Sequence, residues 1–463
     1  MMKKYVSITA IAFITLVLAT SVKAETFIAY LSSAQEVPTN ASTATGYARV
    51  FLNEAAGTIT FRVVFNGLSS NQTAAHVHAP AAIGVNTGVA INFGAVGGTS
   101  GVITGTTPIT PTQISQLRQH LGYVNVHSTN FSGGEIRGQL GVNRPVDFDG
   151  DGRTDPSVIR FPTGPPRPLT YYNQNSTTGV QIVGPWGDAN TDFPAPGDYD
   201  GDGIDDICIY RAGATAGAQS SFWVLQSSDN TPRYYAWGIN GDQAACRDYD
   251  GDGITDIAVF RRGAVLGNQA VWYIRQSATN TARIVPFGTT GDVVGGTSGD
   301  TPVPGDYDGD GKFDIAVYRF DFGGGGLSPN NNYIVLRSSN NAIQYVPWGN
   351  FQTDWIAPGD FDGDGKTDYV AARTGATANS PMVWWILQSS NGQVRTQQFG
   401  ISSDVPAQGD YDGDARTDIA VCRRGAAAAT PNVFWSYRSL SNTTVGVTWG
   451  VGADFPVNIF DAR

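Results

Sequence analysis

The stretch Asp198-Tyr-Asp-Gly-Asp-Gly-Ile-Asp-Asp206 places carboxylates at its positions 1, 3, 5 and 9. Anions this close repel one another, and a hard cation removes the repulsion: Ca²⁺ accepts six to eight oxygens from carboxylates and backbone carbonyls. Two glycines permit the tight turn that brings a carbonyl inward. The pattern recurs in six copies. Its carboxylates are Asp147, Asp149, Asp151 and Asp155; Asp198, Asp200, Asp202 and Asp206; Asp248, Asp250, Asp252 and Asp256; Asp306, Asp308, Asp310 and Asp314; Asp360, Asp362, Asp364 and Asp368; and Asp410, Asp412, Asp414 and Asp418. Repetition in register predicts about six Ca²⁺ sites. The plainer alternative is an acidic, glycine-rich turn that binds nothing.

These loops open as an EF-hand does, but an EF-hand needs a bidentate Glu at position 12 and flanking helices. Position 12 is apolar here (Ile209, Val259, Val317) and lies in a run apolar on both faces, which reads as a buried strand. The ninth-position Asp is therefore expected to close the shell. In the sixth copy Ala415 replaces the Gly of position 6.

A second set of candidate ligands lies upstream. His76 and His78 are two apart on an expected strand and so share a face. If the strand carrying His127 is its neighbour, three imidazoles converge, with Glu135 nearby, as ligands for Zn²⁺ or Cu²⁺. The alternative is that they are hydrogen-bonded structural histidines. His120 falls on an expected helix and reads as solvated.

The elements that must position these groups follow from the rest of the chain. Its 463 residues allow two or three domains, and the 57 glycines and low charge suit a β-rich protein with many turns. Residues 1–24 read as a secretory signal: Lys3 and Lys4, an apolar core over 8–19, and Val22-Lys-Ala24 as a cleavage site, with cleavage after Ala24. A secreted protein without a membrane span is the expectation. Loss of Lys3, Lys4 and Lys23 takes the net charge from −11 to −14, and the loop carboxylates dominate that acidity. Six Ca²⁺ ions would bring it to about −2. No basic patch appears, which disfavours nucleic acid. Cys208 and Cys422 occupy different registers of the repeat and read as small buried hydrophobes; Cys246 is unassigned.

Residues 25–141 carry no repeat. Strands are expected over 26–31, 47–52, 58–65, 74–78, 123–127 and 135–140, with a helix over 112–121 capped by Thr112, together forming a small antiparallel β-sandwich. Ala34-Gln-Glu-Val-Pro38, Ala75-His-Val-His78, Tyr123-Val-Asn-Val-His127 and Gly133-Gly-Glu-Ile-Arg-Gly-Gln-Leu140 resemble the CHRD domain, named from chordin. The resemblance implies an extracellular module and assigns no reaction.

Over 142–463 the acidic loops start 51, 50, 58, 54 and 50 residues apart. Each unit holds a loop, a buried strand, a second strand, a third ending in Trp/Phe-Gly, and a segment leading onward, of the form Asp-x-Pro-x-x-Gly at Asp192–Gly197. Four strands in about 50 residues is the period of a propeller blade. Residues 291–299 read as an enlarged surface loop. An Arg follows each ninth-position Asp by five residues (Arg160 to Arg423), and an Asp precedes five loops by six (Asp192, Asp242, Asp300, Asp354, Asp404). Copied into every unit, they read as structural pairs. The first loop lacks that Asp, but Asp454 supplies one near the C-terminus. The expectation is an all-β chain: six blades, with seven as the alternative, closed by the C-terminal strand. The repeats resemble the FG-GAP/VCBS repeats of integrin α-type propellers, whose Asp-x-Asp-x-Asp-Gly-x-x-Asp site the loops match.

All four histidines precede the propeller, and no nucleophile–base set stands out. The leading expectation is a secreted, calcium-binding, non-catalytic binding or adhesion protein with an extracellular protein or glycan ligand. A lectin-like propeller is the alternative, and a carbohydrate-active enzyme built on clustered carboxylates is a third class.

Overall fold

The computed structural model describes residues 24–458 except 55, 82–83, 119–120, 141–145, 150–152, 163–166, 177–178, 202–203, 252, 266, 291–298, 310, 320–331, 351–352 and 414–415. Residues 1–23 of the expected signal, His120 and residues 291–298 therefore lie outside the described residues, as do Asp151, Asp202, Asp252, Asp310, Asp414 and Ala415.

The N-terminal part is one eight-stranded antiparallel sheet. Its strands are β1 (Ala24–Ser32), β2 (Thr45–Asn53), β3 (Thr58–Asn66), β4 (Gln72–His78), β5 (Val89–Gly94), β6 (Gly101–Pro108), β7 (Tyr123–Ser128) and β8 (Ile136–Gln139). The order β5-β4-β7-β8-β1-β2-β3-β6 curls until β5 and β6 approach, so a nearly closed barrel-like sheet buries the core that two layers of a sandwich would share. Alternation drives the curling: β3 buries Ile59, Phe61, Val63 and Phe65 and leaves its other face outward. Strands β5 and β6 were not expected. Phe61 explains them, because its ring packs on Gly105 and stacks on Phe93 with centroids 3.9 Å apart, so glycine-rich β6 is covered by a neighbour's aromatic. The helix α1 (Pro111–Arg118) starts one residue earlier than expected. Its cap is Thr110, not Thr112: the Thr110 hydroxyl accepts from Gln113 N–H at 3.3 Å and Gln113 Oε1 accepts from Thr110 N–H at 2.8 Å, a reciprocal box with Pro111 at the first helical position.

The remainder is a six-bladed propeller. Each blade is a four-stranded antiparallel sheet; blade two, for instance, has strands Asp192–Pro194, Ile207–Arg211, Gln219–Leu225 and Pro232–Ile239. Position 12 of the loops is buried in the second strand, as Ile209, Val259 and Val317 demonstrate. Cys208, Cys246 and Cys422 are free and buried in blade cores.

Two sets of contacts join the blades. The N–H of loop position 8 donates to the position-1 carbonyl of the preceding loop: Asp205 to Asp147, Thr255 to Asp198, Phe313 to Asp248, Thr367 to Asp306, Thr417 to Asp360, and Thr154 back to Asp410, at 2.6–2.8 Å. The Gly before a loop is there for close approach, since a Cβ on Gly197 would sit 2.8 Å from the Thr255 hydroxyl. On the outer strands, Trp186, Trp237 and Trp348 donate their indole N–H to the backbone of the next blade, and Trp449 of blade six donates to Tyr172 of blade one at 2.9 Å.

The ring closes through its termini. Phe455–Pro456 adds to blade one, pairing Phe455 with Ile159 and Pro456 with Val158. Asp454 receives Arg160 Nε at 2.6 Å and Nη2 at 2.8 Å. Arg211–Asp192, Arg261–Asp242, Arg319–Asp300, Arg373–Asp354 and Arg423–Asp404 repeat this two-pronged pair at 2.6–2.9 Å. Each Asp also accepts a backbone N–H from the corner after its Trp/Phe-Gly, Val451 N–H at 2.9 Å in the case of Asp454. These repeated residues are structural pins.

Truncation before Ala453 will therefore lower the stability of all six blades, not trim a tail, and Asp454→Asn will cost about 1 kcal/mol by replacing one buried carboxylate oxygen opposite the Arg160 fork with an amide donor. Chemical denaturation of the truncated, substituted and full-length proteins checks this; coincident midpoints would refute closure as a stability determinant.

Candidate metal centres

The loops are wound around their own first and ninth carboxylates. In blade three, Asp248 Oδ1 accepts Gly251 N–H at 2.6 Å and Oδ2 accepts Gly253 N–H at 2.7 Å. The loops starting at Asp306 and Asp360 repeat both bonds. Turning the chain this tightly needs left-handed backbone at position 6, where Gly253, Gly311 and Gly365 have φ of 81–83°.

The ninth Asp is fully buried in every copy. Asp206 Oδ2 accepts Tyr199 N–H at 2.9 Å and Oδ1 accepts Ser227 N–H, from the turn after strand Gln219–Leu225, at 2.7 Å. Asp155, Asp256, Asp314, Asp368 and Asp418 do the same with Phe148 and Ser176, Tyr249 and Ser277, Tyr307 and Ser338, Phe361 and Ser389, and Tyr411 and Ser439. This residue thus ties the loop to its blade, a role its spacing alone did not disclose.

Carboxylate oxygens of the first, third and ninth residues converge. One from each of Asp147, Asp149 and Asp155 lies within 4.8 Å of the others, as in the groups Asp198–Asp200–Asp206, Asp248–Asp250–Asp256 and Asp306–Asp308–Asp314. The fifth-position Asp is described only in blade five, where Asp364 Oδ1 accepts Ser389 Oγ–H at 2.8 Å. Burial, reinforced by neighbouring carboxylates, lifts Asp206, Asp256 and Asp368 to about 7. Asp360 is raised well above the carboxylate range by burial and then by Asp368 and Asp364. One Asp308 oxygen is buried without a hydrogen-bond partner among the described residues. Crowded oxygens with a raised cost of ionisation and an orphaned acceptor fit a hard, oxygen-seeking cation.

In the N-terminal sheet β4 and β7 are neighbours, with His76 opposite Asn125 and His78 opposite Tyr123. This brings His76, His78 and His127 together: His76 Nδ1 is 3.1 Å from His127 Nε2, and the His78 ring is 5.6 Å from that of His76. Burial, then the charges of His127 and His78, push His76 down to about 4; burial likewise lowers His78 and His127. Glu135 does not join them. Its carboxylate accepts Ser42 Oγ–H at 2.6 Å, Ser69 N–H at 2.7 Å and the Ser128 hydroxyl, which ties two loops to the end of β7. Burial alone would raise its pKa, and those hydrogen bonds outweigh it and hold the pKa low. Arg137, two residues on, was not anticipated: it is buried, lies 3.5 Å over the Tyr123 ring, and Tyr123 stacks on His78 at 4.8 Å. The Glu-Ile-Arg motif carried that signal, but the spacing could not say what either side chain faces.

Residues 27–140 match the CHRD domain, and residues 248–317 and 360–421 match the FG-GAP-like repeat. No curated protein matches the chain significantly. Among the described residues no helix is long and apolar enough to cross a membrane.

Two outcomes follow from the loop geometry. If the sixth loop takes the left-handed position-6 backbone of Gly253, Gly311 and Gly365, Ala415→Gly will tighten calcium binding at one site roughly five- to tenfold, because a Cβ there costs on the order of 1 kcal/mol; an unchanged calcium titration would refute it. The second concerns pH. A buried Asp whose pKa is raised to about 7 contributes stability that is complete below its unfolded value near 4 and is lost as pH climbs through 7. Calcium-stripped protein will therefore melt at a lower temperature at pH 8 than at pH 5, and saturating calcium will abolish the difference. A melting temperature in chelator that rises from pH 5 to 8 would contradict this.

Proposed function

We propose that this chain is a secreted, calcium-stabilised binding protein whose propeller presents ligand-binding surface and carries no reaction of its own. The observation supporting it most directly is the closed ring of acidic loops, each wound by backbone N–H groups so that its carboxylates face one another. The first, third, fifth and ninth aspartates of each loop would hold the ions. Bound Ca²⁺ supplies positive charge that offsets their repulsion and fixes the loop backbone. Extracellular placement rests on the apolar leader and on the two matched domain types, which are typical of extracellular binding scaffolds.

A glycan ligand is the second reading. Phe193 and Trp355 stand exposed on the short edge strands Asp192–Pro194 and Asp354–Ile356 that run on into acidic loops. Aromatic faces offer rigid contact area of the kind sugars stack on.

Elemental analysis of protein purified in Ca²⁺ will find about six ions per chain. Chelation will lower the melting temperature, since a ligand held 100-fold above its Kd stabilises by about 2.7 kcal/mol per site. Absence of calcium together with identical melting in chelator would overturn the reading. A glycan array and a hydrolase panel, each with and without Ca²⁺, separate lectin and enzyme from a binder of proteins.

A further inference from the structure

The protons of the histidine cluster can be placed from its partners. His78 Nδ1 lies 2.9 Å from the Thr87 carbonyl, which can only accept. Nδ1 therefore carries the proton, and Nε2 carries the lone pair. His127 repeats this, with Nδ1–H donating to the Ser132 carbonyl at 2.9 Å. A carbonyl at the far nitrogen is the arrangement that orients an imidazole for a metal.

His78 makes the case more pointed. It is 8% exposed, and its Nε2 has no hydrogen-bond partner among the described residues. A buried lone pair that meets no donor is costly, and an electrophile at that position removes the cost. His76 Nδ1 is 3.1 Å from His127 Nε2. Two nitrogens each 2.0–2.1 Å from a tetrahedral ion are about 3.3 Å apart, so this spacing suits a shared ion as well as it suits a hydrogen bond. One ligand atom from each of the three residues lies within 4.8 Å of the others.

We propose that His76 Nδ1, His78 Nε2 and His127 Nε2 bind one borderline divalent cation, Zn²⁺ or Cu²⁺, with a further coordination position left to water or to a donor from outside the chain. On binding, the His76 proton leaves Nδ1 for Nε2, a tautomer exchange that changes no charge. The donor set selects against the loops' cation: imidazole nitrogen suits Zn²⁺ and Cu²⁺, whereas Ca²⁺ takes oxygen. Glu135, the one carboxylate the sequence placed nearby, is committed to Ser42, Ser69 and Ser128. Tyr123 stacks on His78, and Arg137 lies over the Tyr123 ring, which fixes the imidazole plane. The metal would bridge β4 to β7 through side chains in addition to their backbone ladder.

The test uses the full chain saturated with Ca²⁺, titrated at neutral pH with Zn²⁺ and, separately, with Cu²⁺. One equivalent will bind with micromolar or tighter Kd without displacing calcium, and Co²⁺ substitution will give visible absorption bands. His78→Ala and His127→Ala will weaken binding at least tenfold while far-ultraviolet circular dichroism stays unchanged. Should either variant fail to fold, His76→Ala, at a partly buried position, is read in its place, with the same loss expected. Nitrogen hyperfine structure in the Cu²⁺ resonance spectrum reports imidazole ligation directly. No saturable uptake of either metal, or native affinity in a folded histidine variant, would overturn the assignment.

Discussion

Like charge is concentrated on one ring of this protein, and the architecture is arranged around tolerating it. The acidic loops of successive blades touch through the hydrogen bond from position 8 to the preceding position-1 carbonyl, so their carboxylates cannot separate without opening the propeller. Backbone N–H groups provide the first compensation: Asp248 takes two from its own loop, and Asp256 takes one from the loop and one from the following turn. Such donors are fixed and carry only partial charge. They orient the carboxylates yet leave several raised toward neutral pH by burial and mutual repulsion. The hydrogen bonds thus pre-organise the loops but cannot neutralise their charge, which is what the proposed cation would do.

The second recurring aspartate solves a different problem. Its buried carboxylate meets a two-pronged guanidinium and a backbone N–H at the corner where the outer strand turns back, as at Asp192 with Arg211 and Asp188 N–H. Several of these guanidinium groups also lie over an aromatic ring of the adjacent strand, such as Tyr273 under Arg261 at 4.2 Å. With both partners present in all six blades, the pin at Asp454 and Arg160 differs from the others only in joining residues far apart in sequence. Ring closure therefore uses the same contact as every blade.

The two domains offer chemically distinct donor sets. Carboxylate oxygens lie in the propeller loops, and imidazole nitrogens lie on β4 and β7. Each set is oriented by backbone groups of the opposite polarity: N–H groups hold the carboxylates, and the Thr87 and Ser132 carbonyls hold the imidazoles. Glu135 and Arg137 divide similarly, one gathering serines and the other supporting Tyr123 beneath His78.

The sequence determined what is local and repeated. Loop spacing, the buried strand after each loop, the Trp/Phe-Gly corner and the unmatched Asp454 together implied six blades closed by the C-terminus, because each is a short-range pattern copied in register. Tertiary structure alone decided what depends on distant partners. Strand β6 exposes few apolar residues of its own and exists because Phe61 covers Gly105. Thr110 rather than Thr112 caps α1 because Gln113 returns the bond. The order β5-β4-β7-β8-β1-β2-β3-β6 links segments with no repeat to reveal their pairing. It is this order that sets His127 beside His76 and turns Glu135 toward Ser42 and Ser69. Side-chain direction along a strand has a period of two and can be read from residues, but which strand lies alongside is a property of the folded sheet.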